Sequence, residues 1–294
     1  MTFVIGIDIG GTKIEGVLFD DKYRKVKLLR VHAPANTSRN EALSVIDNMI
    51  AELRIKPVKG IGVCYPSRIL PGGKIAKVGK IKGLRGFRLQ EYLQKKHKCK
   101  VIVANDADCF SLGEHRMGAS RGATNSFGLI WGTGVGGGII IQNKLYTSSF
   151  GSAAEVGKNV IDPKKGPPFD EGIRGAVEAY AGGKYIVNNY KRLGGRMKEP
   201  TGMKIAQSKE RIAKQVMDDA INALALLLSH IQNTLCPEII VVGGGLSNRP
   251  VYAKLNKLTK RYTHPNFRNH VRIVRNKLGD SAGVYGAASL VLGN

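Results

Sequence analysis

The sequence has few cysteines and no long apolar run, and each shortage excludes a class of protein. Its four cysteines, Cys64, Cys99, Cys109 and Cys236, are scattered without paired spacing. This pattern excludes a disulfide framework and a zinc cluster built on cysteine. No signal-peptide pattern precedes the first predicted strand, and no apolar segment is long enough to cross a bilayer. The sequence therefore predicts a cytoplasmic protein without a membrane partner.

Acidic residues are also scarce, because 22 Asp and Glu stand against 46 Lys and Arg, which gives a formal net charge of +24. Such an excess favours acidic partners, whether phosphorylated metabolites, nucleic acids or membrane surfaces. The densest basic stretch, residues 74–100, holds ten Lys or Arg and one acid, Glu91. Its aromatic residues are only Phe87 and Tyr92, and it contains no recognisable nucleic-acid-binding module. We interpret it as solvated surface and predict no specific nucleic-acid partner.

Glycine, in contrast, is abundant, with 37 residues, many of them in clusters. A strand, a glycine turn and a second strand are predicted near residue 10 and again near residue 134, each followed by helices. A chain of 294 residues can form two cores. The repetition predicts an α/β fold with two similar lobes, a smaller one formed by 1–106 plus 282–294 and a larger one formed by 107–281. Helices are predicted over 40–53, 89–97, 107–119, 209–235 and 279–293.

Three glycine turns are candidates for nucleotide binding. In the first, residues 8–12, consecutive backbone N–H groups can face one point and bind an anion, while Asp8 is suited to hold hydrated Mg²⁺. The second, residues 132–138, has five glycines in seven residues, and it is neither a Walker loop nor a Rossmann fingerprint. The third, residues 241–247, has two interpretations: a surface for adenine and ribose, or a close strand-to-helix turn.

Asn105 and Asp106 directly follow a predicted strand. Phosphoryl transfer needs a carboxylate that orients the attacking hydroxyl and accepts its proton, and Asp106 is placed to do this. Asn105 could hold a sugar hydroxyl. The local sequence alone favours a simpler role for the pair as a helix cap.

Five motifs follow one another along the chain, at residues 8–13, 105–107, 132–138, 151–157 and 241–247. In this order they resemble the motifs of the ROK family of sugar kinases and repressors, and the resemblance covers nearly the whole chain. The resemblance implies an actin-like ATPase fold with two ribonuclease-H-like lobes and an active-site cleft between them. It further implies transfer of the γ-phosphoryl group of MgATP to a sugar hydroxyl, with Asp106 as catalytic base, in a protein that is commonly a homodimer.

By the same resemblance, Mg²⁺ would lie near Asp8, and the nucleotide would be bound by Asp8, Gly10, Gly11, Thr12, Lys13, Gly132, Thr133, Gly134, Gly243, Gly244 and Gly245. The sugar would be bound by Ser67, Arg68, Lys80, Asn105, Asp106, Glu155, Lys158 and Glu178.

The sequence departs from this family at its structural zinc site. The family has a histidine and a cysteine cluster there, and the corresponding positions are Lys158, Phe169, Glu171 and Ala176. A thiolate site cannot be formed from these side chains. We predict that the chain binds no zinc and that packing and polar contacts hold this loop.

The same region suggests a substrate. Three cations would surround the sugar pocket, those of Lys158, Arg68 and Lys80. Such cations are costly to desolvate unless an anion is bound beside them. One consequence is a sugar-acid substrate, with 2-keto-3-deoxygluconate as the specific candidate. The alternatives are that Lys158 pairs with Glu155 or Glu171 as a strut, and that the substrate is a neutral sugar such as glucose, N-acetylmannosamine or N-acetylglucosamine.

A regulator is the competing class of function, since the family includes repressors with an N-terminal helix-turn-helix domain. The first glycine turn begins within ten residues of Met1, which leaves no room for such a domain. A protein that only binds sugar is a third class, in which Asp106 and both phosphate turns would have no purpose. The sequence therefore favours an enzyme.

Overall fold

Local sequence patterns determine where the strands and helices lie in the computed structural model, which describes residues 1–34, 37–77, 81–151, 153–247 and 249–293. The chain divides into two compact units. The first contains 1–122, 138–153 and 277–294, and the second contains 123–137 and 154–276.

The first unit is built on a five-stranded sheet whose strands are β1 (Phe3–Ile9), β2 (Lys13–Asp20), β3 (Lys25–His32), β4 (Val58–Tyr65) and β7 (Lys100–Asn105), with the order β3-β2-β1-β4-β7. The first three strands form an antiparallel meander, and β1, β4 and β7 run parallel. The carboxyl ends of β1, β4 and β7 therefore meet at one edge of this sheet. Two short strands, β5 (Ile69–Leu70) and β6 (Lys74–Ile75), pair separately.

Helices cover both faces of this sheet. On one face, α1 (Arg39–Leu53) and α2 (Leu89–His97) bury their apolar residues against it. Ser38 begins α1 as part of a capping box with Glu41. On the other face lie α3 (Asp106–Met117) and α10 (Ala282–Leu292), which pack closely on each other and on β4.

Glycine makes the close approach of α10 to the sheet possible. A side-chain carbon at Gly62 of β4 would lie 1.7 Å from the carbonyl oxygen of Ala287. At Gly283, near the start of α10, such a carbon would lie 2.4 Å from a carboxyl oxygen of Asp8. Only glycine fits at these positions, and the helix start consequently lies directly beside Asp8.

The second unit contains the parallel strands β8 (Ser126–Trp131), β11 (Ile239–Gly243) and β12 (Ile273–Arg275). The sheet order is β10-β9-β8-β11-β12, and the chain passes from the second unit into the first within β9 (Val135–Ile141), before β10 (Lys144–Leu145). Its helices are α4 (Val177–Ala181), α5 (Gly183–Arg192), α6 (Gly202–Gln207), α7 (Arg211–Leu235), α8 (Arg249–Tyr262) and α9 (Pro265–Arg268). The apolar face of α7 packs against α4, α5, α6 and α8.

The predicted helices and strands are confirmed, with ends that differ by a few residues. The boundaries predicted from the sequence, 1–106 with 282–294 and 107–281, differ from the two units, because the first unit also contains α3 and residues 138–153 and 277–281. Helix α3 belongs to the first unit because it packs on α10. Among the described residues, no helix combines the length and apolar character needed to cross a membrane.

Candidate active site

The first glycine turn joins β1 to β2. Its hairpin is closed by the N–H of Gly10, which donates to the carbonyl oxygen of Lys13 at 2.9 Å. The carbonyl oxygen of Thr12 accepts from the N–H of Ala33, and the Thr12 side chain is exposed. The N–H groups of Gly11 and Thr12 have no protein acceptor among the described residues. The turn can thus offer these two donors and one hydroxyl to an anion.

Asp8 precedes this turn in a partly buried position. Burial is the main cause that raises the pKa of its carboxyl from 3.8 to about 6. The nearby negative charges of Asp106 and Glu15 raise this pKa further. A hydrogen bond from the Cys64 thiol and the charge of Lys13 act in the opposite direction. The site therefore holds a carboxyl group whose charge is costly until a cation offsets it.

Asp106 is the first residue of α3, directly after β7. Its Oδ1 accepts from the N–H of Ala107 at 3.0 Å, so the start of the helix fixes its side chain. Asp8 and Asp106 lie at the carboxyl ends of two parallel strands that flank β4, and the negative charge of Asp106 raises the pKa of Asp8. A carboxylate that can orient a hydroxyl group, together with a potential Mg²⁺ ligand, is an arrangement that phosphoryl transfer uses.

Asn105 caps α3, as the local sequence favours. Its Oδ1 accepts from the N–H of Ala107 at 2.8 Å, and its Nδ2 donates to the carbonyl oxygen of Ser67 at 3.1 Å. The next residue, Arg68, donates from Nη2 to the carbonyl oxygen of Phe150 at 3.0 Å. The bonds of Asn105 therefore connect the predicted sugar-binding segment 67–68 to the start of α3. The bond to Phe150 gives Arg68 a hydrogen-bond partner within its own unit.

The second glycine turn joins β8 to β9. The N–H of Gly132 donates to the carbonyl oxygen of Gly134 at 3.0 Å, and the N–H of Val135 donates to Oε2 of Glu178 at 2.9 Å. The N–H of Gly183, at the start of α5, donates to the carbonyl oxygen of Gly132. Thr133 at the tip is exposed. The turn is therefore fixed from behind by α4 and α5, and its tip is accessible to a ligand.

Glu178 lies close behind this turn, and a side-chain carbon at Gly134 would lie 3.0 Å from its Oε2. Burial is the main cause that raises the pKa of Glu178, while the bond from Val135 and the charge of Lys158 lower it. Glu178 was predicted as a sugar ligand. In the structure its Oε2 already accepts a hydrogen bond from the glycine turn, so a ligand bound by its other oxygen would be linked to the turn through this carboxylate.

The third glycine turn, after β11, lies next to the second. Gly244 has a φ of +97°, and a side-chain carbon there would lie 2.3 Å from the carbonyl oxygen of Trp131, so this glycine is required for close packing. Gly245 is exposed, and its backbone N lies 3.9 Å from the position of a side-chain carbon at Gly132. Gly244 therefore fits the interpretation of this turn as a close strand-to-helix turn. Gly245 fits the interpretation as a nucleoside surface, because its backbone is exposed beside the second turn. Gly243 is buried as the last residue of β11.

Lys158 forms an ion pair with Glu155, with 3.2 Å between Nζ and Oε2. Both side chains are largely exposed, and both charges act on the carboxyl of Glu178. This pairing is the strut alternative from the sequence. Lys80, the third cation of the sugar-acid hypothesis, lies outside the described residues.

The side chains at the expected zinc positions do not fit a zinc ion. Lys158, Phe169 and Ala176 supply neither a thiolate nor an imidazole. The Phe169 ring instead packs on the ring of Tyr185 at 5.3 Å between centroids, and Tyr185 donates to Asp170 at 2.6 Å. Aromatic packing and a hydrogen bond to a carboxylate therefore hold this loop.

Two residues of the first unit were missed in the sequence. The parallel register of β1 and β4 places Cys64 opposite Asp8, and the Cys64 thiol donates to its carboxyl. Glu15 is buried, and it accepts from Arg30 at 2.8 Å and from Ser281 at 3.0 Å. The register of a parallel pair has no local signal, although the acid at position 15 in a buried strand could have drawn attention.

Several known proteins are similar to this chain. The sequence matches the ROK family over residues 4–294. It is 28% identical to the glucokinase of Thermotoga maritima, across 98% of this chain and 96% of that protein. It is 30% identical to the N-acetyl-D-glucosamine kinase of Mannheimia succiniciproducens, across 98% of each. A crystal structure of a ROK family glucokinase from Streptomyces griseus in complex with glucose and AMPPNP superposes with a TM-score of 0.79 at 27% identity, covering 98% of both chains.

The chain belongs to the ROK family. Its fold is the actin-like ATPase fold with two ribonuclease-H-like α/β lobes, as predicted from the sequence.

Proposed function

We propose that this ATP-dependent sugar kinase transfers the γ-phosphoryl group of MgATP to a hydroxyl group of a neutral hexose or N-acetylhexosamine. The related glucokinases and N-acetylglucosamine kinases support this choice of acceptor. The AMPPNP in the Streptomyces griseus complex supports ATP as the donor.

One observation carries the proposal: two carboxyl groups, Asp8 and Asp106, lie at the carboxyl ends of β1 and β7, the two parallel strands that flank β4 in the first unit, and the charge of Asp106 acts on Asp8. Asp8 suits Mg²⁺ because its buried charge needs a cation, and Mg²⁺ supplies charge neutralisation to the phosphates when bound. Asp106 suits the role of base because α3 fixes its side chain next to that position.

In the proposed reaction, a sugar hydroxyl oxygen forms a bond to the γ-phosphorus while the bond from this phosphorus to the β,γ-bridging oxygen breaks. The hydroxyl proton moves to the carboxylate of Asp106, and ADP leaves. The donors of the two glycine turns, with Thr12 and Thr133, would hold the phosphates, and Gly245 would face the nucleoside. Lys13 lies 3.8 Å from Glu15 and is half-exposed, so its ammonium is accessible to a phosphate.

Ser67, Asn105, Glu155 and Glu178 would bind the sugar through hydroxyl groups. We propose a neutral sugar because two cations of the sugar-acid hypothesis have partners in the protein. Lys158 pairs with Glu155, and Arg68 donates to the backbone of Phe150. A panel of acceptors distinguishes the two hypotheses: we expect ADP release with glucose, N-acetylglucosamine or N-acetylmannosamine, and little with gluconate or 2-keto-3-deoxygluconate. Preferred use of 2-keto-3-deoxygluconate would restore the sugar-acid hypothesis.

Asp106→Asn tests the catalytic assignment. The amide keeps an oxygen for the N–H of Ala107 but cannot accept the hydroxyl proton, so we expect kcat to fall by roughly 10²–10⁴. Binding of MgAMPPNP, measured by calorimetry, should stay close to that of the wild type. Unchanged turnover in this variant would remove Asp106 from the mechanism, and a wild-type protein without turnover on any sugar would favour a regulator.

We also infer a homodimer in the cytoplasm, in line with the family resemblance. Light scattering of the purified protein measures the first part of this inference, and a monomer at micromolar concentration would contradict it.

A further inference from the structure

The last part of the second unit is basic without interruption. Residues 249–276 contain eight Lys or Arg and no Asp or Glu. The whole chain has about one acid for every two basic residues, so this segment departs from the general composition. None of the residues proposed to bind ATP or the sugar lies in it.

Helix α8 separates its apolar and basic residues. Val251, Leu255 and Thr259 are buried, and they recur every four residues along the side of α8 that packs in the unit. Lys257, Lys260 and Arg261 are exposed on the opposite side. Because α8 rises about 1.5 Å per residue, three cations lie within about one turn and form a single charged face.

These three cations form no ion pair with any residue that the structure describes, whereas two lysines of the other basic stretch, residues 74–100, are paired. There, Lys95 pairs with Glu91 and Lys96 pairs with Asp47. Among the ion pairs between described residues, only that of Lys254 with Asp218 involves the segment 249–276. The face of α8 beyond Lys254 therefore keeps its full positive charge.

An exposed aromatic ring follows this face along the chain. Helix α9 begins two residues after Thr263, which bonds back to Thr259 of α8. It carries Phe267, which is 36% exposed and whose ring centroid lies 6.3 Å from that of His264. Arg268 beside it is also exposed. Exposed rings among cations are the features with which proteins bind single-stranded nucleic acids without sequence preference.

We propose that the α8–α9 basic face, defined by Lys257, Lys260, Arg261, Phe267 and Arg268, binds the backbone of single-stranded nucleic acid without sequence specificity. The cations contact phosphates, and Phe267 stacks on a base. A membrane surface fits less well, because Phe267 is the one large apolar side chain exposed among the described residues of this segment, and an interfacial helix needs an apolar face.

Fluorescence anisotropy with a labelled 20-nucleotide oligouridylate, at several KCl concentrations, tests the proposal. Substitution of Lys257, Lys260 and Arg261 by Gln removes three phosphate contacts. The slope of log affinity against log salt should fall by about 2, because each contact to a single strand contributes about 0.7. A matched variant with Lys82, Arg88 and Lys100 replaced by Gln loses the same charge from the other basic stretch and should keep the wild-type slope.

Phe267→Ala should weaken binding roughly tenfold at every salt concentration while leaving the slope unchanged, because stacking is not electrostatic. Sugar phosphorylation should be unaffected in all of these variants, which also confirms that they fold. The proposal is overturned if the oligonucleotide does not bind at low salt, or if the matched variant loses as much slope as the α8 variant. Binding to anionic vesicles through these residues without oligonucleotide binding would also overturn it.

Discussion

The two glycine turns close similar strand pairs, but different groups surround them. Beside the first turn, Asp8 is a carboxyl group whose burial raises its pKa to about 6, with Asp106 nearby. Behind the second, Glu178 uses its carboxylate to hold the backbone of Val135. The acid beside a glycine turn can therefore be available to bind a ligand, as Asp8 is, or it can accept a hydrogen bond from the turn itself, as Glu178 does. The first turn should therefore determine the chemistry, and the second should determine how firmly the nucleotide is held.

Asp8→Asn should have the largest effect. Without its carboxylate, Mg²⁺ and the phosphates lose a preorganised charge, and we expect kcat to fall on the order of 10²-fold. The coupled ADP-release assay with saturating sugar measures this change, and a repeat at high Mg²⁺ tests whether weak metal binding is the cause. Wild-type turnover in Asp8→Asn would mean that the acid beside the first turn is not needed for the reaction.

The same variant should stabilise the metal-free protein. A pKa of about 6, against an ordinary 3.8, means that the folded state binds the proton more tightly than the unfolded state. The stability from this group is present below pH 4 and is lost as the pH rises through 6, by about 3 kcal/mol. Asp8→Asn should remove this dependence and raise the free energy of unfolding at pH 7.5, as urea denaturation measures. An unchanged or lower free energy of unfolding in this variant would contradict the inference that the charged form of Asp8 destabilises the metal-free protein.

Glu178 should give a smaller and separable effect. Glu178→Ala leaves the N–H of Val135 without its partner, so we expect a loss of about 1–3 kcal/mol in stability and a higher KM for MgATP. Glu178→Gln keeps an acceptor oxygen and should retain both the stability and the KM for MgATP, while raising the KM for the sugar. If Gln and Ala behaved alike in thermal unfolding and in the KM for MgATP, the carboxylate would not support the turn through this bond.

Local sequence predicted the strands, the long helices and the turns, because hydrophobic period and glycine act within a few residues. It also placed Asn105 as the cap of α3. The bonds between distant residues could not be predicted in this way. Glu178 is 43 residues from Val135, and Arg68 is 82 residues from Phe150, so tertiary packing alone brings them together.

The basic composition shows the same limit. The sequence indicated the stretch 74–100, where the fold supplies acids that pair with two of the lysines. The segment 249–276 has a lower density of charge, but three of its cations lie together on one face of α8 without an ion pair among the described residues. Which cations are neutralised depends on the acids that packing brings near, and composition does not contain that information.

Calorimetry of MgAMPPNP binding to a matched pair of variants, Thr12→Val and Thr133→Val, tests most directly whether both turns hold the phosphates of one nucleotide. Both threonines are exposed, so each substitution removes a hydroxyl from its turn at little cost in stability. We expect one site per chain in the wild type and a loss of roughly tenfold or more in affinity for each variant, as for a lost hydrogen bond to a charged group. Wild-type affinity in either variant, or no binding of MgAMPPNP to the wild type, would contradict the account.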